Sequence, residues 1–219
     1  MVEEFSKAFW EERYRGDTAG HPGHTAGHNR QPSPHLMAET CDLTPGTALD
    51  AGCGAGANAI WLASQGWRVT AVDIASNALR RAREQAEVVG VATRVDWVEA
   101  DLTSWTPATE QFDLVCAHYV HPAGSHEALL RRLAASVAPG GTLLIVDHQS
   151  ADQHFDPDQH LDPGQHLDPE QWDIAVAEVR TRSAAGHDGH EVVLRDAVFR
   201  ACKRPSPSLT AAPRPVYPG

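Results

Sequence analysis

Apolar stretches of strand length alternate with amphipathic stretches of helical length along most of the chain. The predicted strands are residues 48–50, 69–73, 95–99, 112–117, 142–146, 172–182 and 192–202, and the predicted helices are 3–15, 36–41, 57–65, 77–89 and 126–137. Leu79, Ala82, Ala86 and Val89 recur at the helical spacing of a face that packs on a sheet. Strands that alternate with helices in this way predict an α/β domain with a largely parallel sheet.

A glycine-rich turn separates the first two predicted strands. The first strand ends on Asp50 and the second on Asp73, and Gly52, Gly54 and Gly56 lie between them. Glycines let the backbone approach a ligand closely, and a carboxylate after the second strand can accept hydrogen bonds from both ribose hydroxyls. The spacing differs from the G-x-G-x-x-G of dinucleotide binders, and an acidic residue two positions before the first glycine suits a ligand with an ammonium group.

The D-x-G-x-G-x-G pattern resembles motif I of class I S-adenosylmethionine-dependent methyltransferases, and 138–141 (APGG) is similar to the turn before the fifth strand of that family. The resemblance implies a Rossmann-like, doubly wound sheet of seven strands with an antiparallel last strand, and S-adenosylmethionine as cofactor. Asp101 would accept the adenine amino group, or else only cap the turn after its strand. The cofactor-binding residues that this resemblance implies are Asp50, Gly52, Gly54, Gly56, Asp73, Ile74, Asp101, Leu102 and Arg30.

The N-terminal stretch WEERYRG resembles the W-x-x-R-Y segment of small-molecule methyltransferases related to the tellurite-resistance and thiopurine enzymes. In those relatives the segment folds over cofactor and substrate, so Trp10 and Tyr14 are expected substrate-pocket residues; the alternative is a helix that only packs on the sheet. Arg30 would pair with the methionine carboxylate of the cofactor, or else lie in solvent. The expected organisation is a lid helix and flexible loop at 1–35, a cofactor-binding domain at 36–203 and a disordered tail at 204–219.

The residues after the fourth predicted strand are the candidates for acceptor chemistry. Ligands of doubly wound sheets lie beyond the carboxyl ends of the strands, near the point where strand order reverses, and strands 1 and 4 flank that point. Tyr119 is therefore expected to contact substrate, and His118 or His121 to act as the general base for a hydroxyl acceptor. A thiolate, a carboxylate or a metalloid oxyanion would need no base.

Composition and charge narrow the range of partners. The chain has 219 residues, a formal net charge of −11 and only two lysines, Lys7 and Lys203, which argues against binding of nucleic-acid phosphates. Four scattered cysteines without a CxxC pair favour a reducing, cytoplasmic setting. The charged N-terminal stretch is unlike a signal peptide, and no apolar run approaches transmembrane length. We expect a cytoplasmic monomer or homodimer that does not bind a membrane.

Two histidine-bearing segments raise the question of a metal. His21, His24 and His28 lie in a glycine-rich stretch without defined spacing, and a six-residue unit of the form HxDPxQ occurs three times within 151–171. A proline every six residues prevents a regular helix, so the repeat is expected to form a loop or turns, with at most one short helix that begins at Asp168. It is either a solvent-exposed expansion, an acidic lid or a metal-binding loop. We predict no metal site.

The sequence therefore predicts an S-adenosylmethionine-dependent methyltransferase that moves a methyl group to a small-molecule acceptor by in-line displacement, with oxygen or nitrogen favoured over sulfur or carbon. The alternatives are a non-catalytic protein that binds the cofactor for regulation and a methyltransferase that detoxifies thiols or metalloids. An NAD-dependent oxidoreductase is disfavoured, because the glycine spacing differs and no Tyr-x-x-x-Lys pair is present.

Overall fold

The computed structural model describes residues 5–15, 31–148, 163–185 and 191–205. The helices are α1 (Lys7–Arg13), α2 (Pro34–Thr40), α3 (Ala57–Ser64), α4 (Ser76–Val89) and α5 (His126–Ser136). The strands are β1 (Thr47–Ala51), β2 (Arg68–Asp73), β3 (Val95–Glu99), β4 (Phe112–His118), β5 (Val137–His148), β6 (Trp172–Ala185) and β7 (Glu191–Lys203). Each predicted strand and helix is present, with ends shifted by a few residues.

The seven strands form one sheet with the order β3-β2-β1-β4-β5-β7-β6. The first five strands pair in parallel, whereas β7 pairs antiparallel with both β5 and β6. Strand order reverses between β1 and β4, where the carboxyl ends of two neighbouring parallel strands leave room for a ligand. The predicted doubly wound sheet with antiparallel terminal pairing is confirmed.

Helices cover both faces of the sheet. On one face Leu129, Leu130 and Leu133 of α5 pack against β4 and β5. On the other face α2, α3 and α4 contribute Leu36, Leu62 and other apolar side chains to a second cluster. Burial of both faces explains why the central strands are apolar almost throughout rather than alternating.

Local contacts refine the predicted ends of three elements. Ser76 is the first residue of α4, Ala75 holds the N-cap position, and Glu11 of α1 caps the first backbone amides of the helix. Strand β5 begins at Val137, but its pairing with β4 is interrupted at the APGG segment, because Val137 lies opposite Phe112 and pairing resumes only at Thr142, opposite Leu114. Asp168 leads into a turn at residues 169–171 rather than a helix, because β6 begins directly afterwards at Trp172, and the short 3-10 helix of this region is Pro163–His166.

Several other predictions concern residues outside the described ranges. These are the histidines of the glycine-rich stretch, the repeat up to residue 162, Arg30 and most of the C-terminal tail. Among the helices that are described, none has the length and apolar character needed to cross a membrane.

Candidate functional site

The glycine-rich loop between β1 and α3 has the backbone conformation that its glycines permit. Gly52, Gly54 and Gly56 have φ values of 74°, 53° and 82°, in the left-handed region that other residues rarely adopt. A Cβ on Gly56 would lie 2.7 Å from the Cβ of Ala82, so the loop approaches α4 too closely for any side chain. The loop therefore leaves bare backbone at the carboxyl end of β1.

Asp73 holds this loop in place from the end of β2. Its Oδ2 accepts from the backbone N–H of Gly54 at 2.8 Å, and its Oδ1 accepts from that of Ala75 at 2.9 Å. Burial raises the pKa of Asp73, while these amide hydrogen bonds act in the opposite direction. The carboxylate predicted to take the ribose hydroxyls thus lies at the loop and also shapes it.

Asp50 is buried at the end of β1 with part of its hydrogen-bonding capacity unused. Its Oδ1 lies 3.7 Å from the Cys116 sulfur, and within the described residues its Oδ2 has no hydrogen-bond partner. Burial raises the pKa of Asp50 to about 7, and the charge of Asp73 adds to this rise. A buried carboxylate without a partner is costly, and a ligand with a positive charge would remove that cost.

His118 lies beside Asp50 and Cys116 at the end of β4. One ligand atom from each of these residues lies within 4.8 Å of the others, and all three are buried. A carboxylate, a thiol and an imidazole form a donor set that zinc accepts, so this cluster offers metal ligands where the sequence predicted none. Neither ring nitrogen of His118 has a partner among the described residues, and burial lowers the pKa of His118 to about 3. That low pKa argues against a general base near neutral pH, and the assignment of His118 as base stays a prediction.

The N-terminal helix α1 lies over the glycine-rich loop. Tyr14 is buried, and its hydroxyl lies 2.6 Å from the position that a Cβ of Gly54 would take. Burial, followed by the charge of Asp73, raises the pKa of Tyr14. Trp10 packs against the same small cluster. Glu11 joins α1 to the start of α4, because its side chain accepts from two backbone amides and the Ser76 hydroxyl.

The contacts of the expected adenine-binding residues do not distinguish a cofactor-binding role from a structural one. Oδ1 of Asp101 accepts from both the backbone N–H and the hydroxyl of Thr103, which is the turn-capping alternative stated above. Leu102 is buried in the core, and Ile74 is partly exposed after β2. Contact of these three residues with a cofactor stays a prediction.

Tyr119 and His121 follow β4 at the point where strand order reverses. Tyr119 has a φ of 55°, unusual for a residue with a side chain, and its ring stacks on His148 at 4.2 Å between centroids. The ring of His121 stacks on Phe5 at 5.3 Å, so this loop meets the segment that leads into α1. Both predicted residues therefore line the same end of the sheet as the glycine-rich loop.

One network of buried polar residues was not predicted from the sequence. Asp196 of β7 has no exposed surface and accepts hydrogen bonds from His35, Tyr119, His148 and Arg182. Burial alone would raise the pKa of Asp196, but these four hydrogen bonds hold it well below its usual range. Strand alternation could have shown it, because Asp196 shares a face with the buried Val198 two residues later.

Comparison with known proteins agrees with this geometry. Residues 48–141 match the family model described as "Methyltransferase domain". Trans-aconitate 2-methyltransferase of Paracidovorax citrulli is 34% identical over 131 residues, which are 58% of this chain and 47% of the relative. Probable thiol methyltransferase 2 of Arabidopsis thaliana is 28% identical over 149 residues, which are 66% of this chain and 63% of the relative. The chain spans about half the length of the first of these relatives.

Solved structures share the fold at lower identity. A structure from work on the conversion of a disulfide bond into a thioacetal group during echinomycin biosynthesis superposes with a TM-score of 0.67 and 21% identity, covering 92% of this chain and 94% of that one. TehB from Haemophilus influenzae gives a TM-score of 0.65 and 15% identity, covering 90% and 66%. The comparisons thus show a methyltransferase-domain match over residues 48–141 and a shared fold, both of which agree with the resemblance to class I S-adenosylmethionine-dependent methyltransferases.

Proposed function

We propose that this protein transfers a methyl group from S-adenosylmethionine to a small-molecule acceptor. The observation that carries the proposal is the site at the ends of β1 and β2. Bare glycine backbone lies there beside two buried carboxylates, and one of these, Asp50, has an oxygen without a partner within the described chain. A small-molecule acceptor agrees with the names of the relatives, which act on trans-aconitate and on thiols.

The residues present fit the cofactor. Asp50 would receive the ammonium of its methionine part, because a positive charge there offsets the cost of the buried carboxylate. Asp73 already accepts one amide hydrogen bond on each oxygen and keeps a lone pair on each for the ribose hydroxyls. The buried Tyr14, which follows α1, would close the site from above together with that helix.

The chain's own contribution to methyl transfer would be alignment and exclusion of water. When bound, the cofactor supplies an electrophilic methyl group on a sulfonium, whose charge is lost in the reaction. The Tyr119–His121 loop would hold the acceptor in line with that methyl group, while α1 shields the site. An oxygen or nitrogen acceptor is favoured, because imidazole groups lie at this end of the sheet.

A thiol or metalloid acceptor is the second candidate. It is supported by the similarity to a probable thiol methyltransferase and by the resemblance of the WEERYRG stretch to enzymes related to tellurite resistance. Such an acceptor would already carry negative charge or lose its proton easily, so the imidazoles would then bind rather than deprotonate it.

Calorimetric titration with S-adenosylmethionine and with S-adenosylhomocysteine tests the cofactor site. We expect binding of both by the wild-type protein without added metal, and loss of binding in Asp73→Asn. Asp96→Asn is the matched control, because Asp96 is an exposed carboxylate on the neighbouring strand β3. Unchanged binding in Asp73→Asn would refute the site, and absence of binding by the wild type would refute the function.

A further inference from the structure

The buried carboxylate of Asp196 fixes the tautomer of a histidine that reaches solvent. Its Oδ1 accepts from Nδ1 of His148 at 3.1 Å, and its Oδ2 accepts from His35, Tyr119 and Arg182. An ionised carboxylate can only accept hydrogen bonds, so His148 must carry its proton on Nδ1. The other ring nitrogen, Nε2, then presents a lone pair.

Of the two histidines bonded to Asp196, only His148 is open to a reactant. The side chain of His148 is 27% exposed, whereas that of His35 is 7% exposed. His148 is the last residue of β5, beside the carboxyl end of β4, and its ring stacks on Tyr119. It therefore lies one strand beyond the reversal of strand order, on the side of β4 away from the glycine-rich loop of β1.

Aromatic rings lie against His148 and along the loop that follows β4. The Tyr119 ring covers one face of the imidazole at an interplanar angle of 22°. Two residues further along the same loop, His121 stacks on Phe5, whose ring centroid is 6.3 Å from that of Trp10. Planar rings pack well on such surfaces, which favours an aromatic acceptor over an aliphatic one.

We propose that His148 is the general base for an aromatic hydroxyl acceptor and that Asp196 is its positioning residue, as an extension of the proposed function. His148 Nε2 takes the hydroxyl proton while the acceptor oxygen forms its bond to the methyl carbon and the methyl–sulfur bond breaks with its electron pair left on sulfur. Asp196 stabilises the imidazolium that results, and the proton then leaves to water. The arrangement is that of a histidine oriented by a buried carboxylate in hydrolytic triads, here without a nucleophile from the protein.

Phenols of graded acidity test the proposal, with thiophenol as an acceptor that needs no base. We expect His148→Gln to lower kcat for 4-methoxyphenol by about 100-fold with little change in KM, since a general base contributes at least that much. Turnover of thiophenol, and of 4-nitrophenol at a pH of about 8 where it is already ionised, should change only a few-fold. The control is His166→Gln, which changes a partly exposed histidine paired with Glu127 on the other face of the sheet.

A second measurement needs no cofactor or acceptor. Nitrogen-15 NMR of labelled histidines should show the Nδ1–H tautomer of His148 in the wild type and an increased share of the other tautomer in Asp196→Asn. The titratable and charged groups that surround His148 in the described structure are Tyr119, Asp147, Asp196, His35 and Arg182. A wild-type His148 that carries its proton on Nε2 would overturn the proposal.

The kinetic outcomes separate this inference from the proposed function. Equal turnover of 4-methoxyphenol by the wild type and His148→Gln would overturn the role of His148, and so would an equal loss on thiophenol, which would mark a structural defect. No turnover of either phenol by the wild type would overturn the aromatic hydroxyl class. If thiophenol is methylated in that case, the proposed function stands, whereas a protein that binds no S-adenosylmethionine fails both.

Discussion

The buried carboxylate of Asp50 should make the stability of the ligand-free protein fall as pH rises. Burial raises its pKa from an ordinary value of 3.8 to about 7. Between these two values the folded protein binds a proton that the unfolded chain has released. The free energy of unfolding therefore decreases with pH across this window and levels off above it. Asp50→Asn removes the titrating group at nearly constant volume.

The size of the effect follows from the same shift. A shift of about 3 pKa units corresponds to about 4 kcal/mol, since one unit is worth about 1.4 kcal/mol. The Asp50→Asn variant would also bury an amide in place of the carboxyl, which adds a cost of about 1–3 kcal/mol if that amide is unpaired. This second cost does not depend on pH, so it cancels when the effect of the substitution is compared between two pH values.

Urea unfolding of the wild type and Asp50→Asn at a pH of about 4 and of about 8 measures the difference. Relative to the wild type, the variant should gain about 4 kcal/mol between the lower and the higher pH. Asp96→Asn, at an exposed carboxylate, should show no comparable gain. Parallel pH dependence in the wild type and Asp50→Asn would refute the reasoning, because Asp50 would then be ionised in the folded protein without cost.

Two further predictions concern the walls of the site. Glu11→Ala should lower the free energy of unfolding by about 1 kcal/mol and weaken S-adenosylhomocysteine binding, because Glu11 caps α4 and connects α1 to it. In urea unfolding and calorimetry the control Glu12→Ala, at an exposed residue, should match the wild type, and equal effects of the two substitutions would contradict the capping role. Gly56→Ala should destabilise the protein by more than Gly90→Ala, because only at Gly56 would the new Cβ meet Ala82. The control Gly90→Ala costs about 1–2 kcal/mol for its left-handed backbone alone. Equal urea midpoints of the two variants would contradict the contact with Ala82.

Local patterns were sufficient to predict the fold and the glycine-rich loop. Apolar runs, helical spacing and the glycines depend on residues close together in the chain, and they placed every strand and helix to within a few residues. The position of Asp50 and Asp73 at the same end of the sheet, where parallel strands have their carboxyl ends, followed from the parallel arrangement alone. The capping of α4 could not be read in this way, because Glu11 acts from 65 residues away.

The histidines show where sequence reasoning stops. His118 and His148 are each the last residue of a strand, and only the packing of α2, β6 and β7 distinguishes them. The first is enclosed without partners in the described structure, whereas the second is bonded to Asp196, 48 residues away. Because β6 and β7 are distant from β5 in the sequence, no motif near β5 predicts which histidine is hydrogen-bonded to a carboxylate.

Two buried carboxylates on the same face of the sheet differ in how far the protein compensates their negative charge. Asp196 receives four hydrogen bonds, so its negative charge is compensated by the protein and persists at low pH. Asp50 interacts with the Cys116 thiol and the Ala59 backbone amide, but its Oδ2 has no partner among the described residues, so a cation would compensate its charge further. A carboxylate of the first kind can orient a neighbour but has little left to offer a ligand, whereas one of the second kind gains free energy when it binds an ammonium. Under the two proposals, the part of this face at β1 would bind the cofactor and the part at β5 and β7 would serve the acceptor.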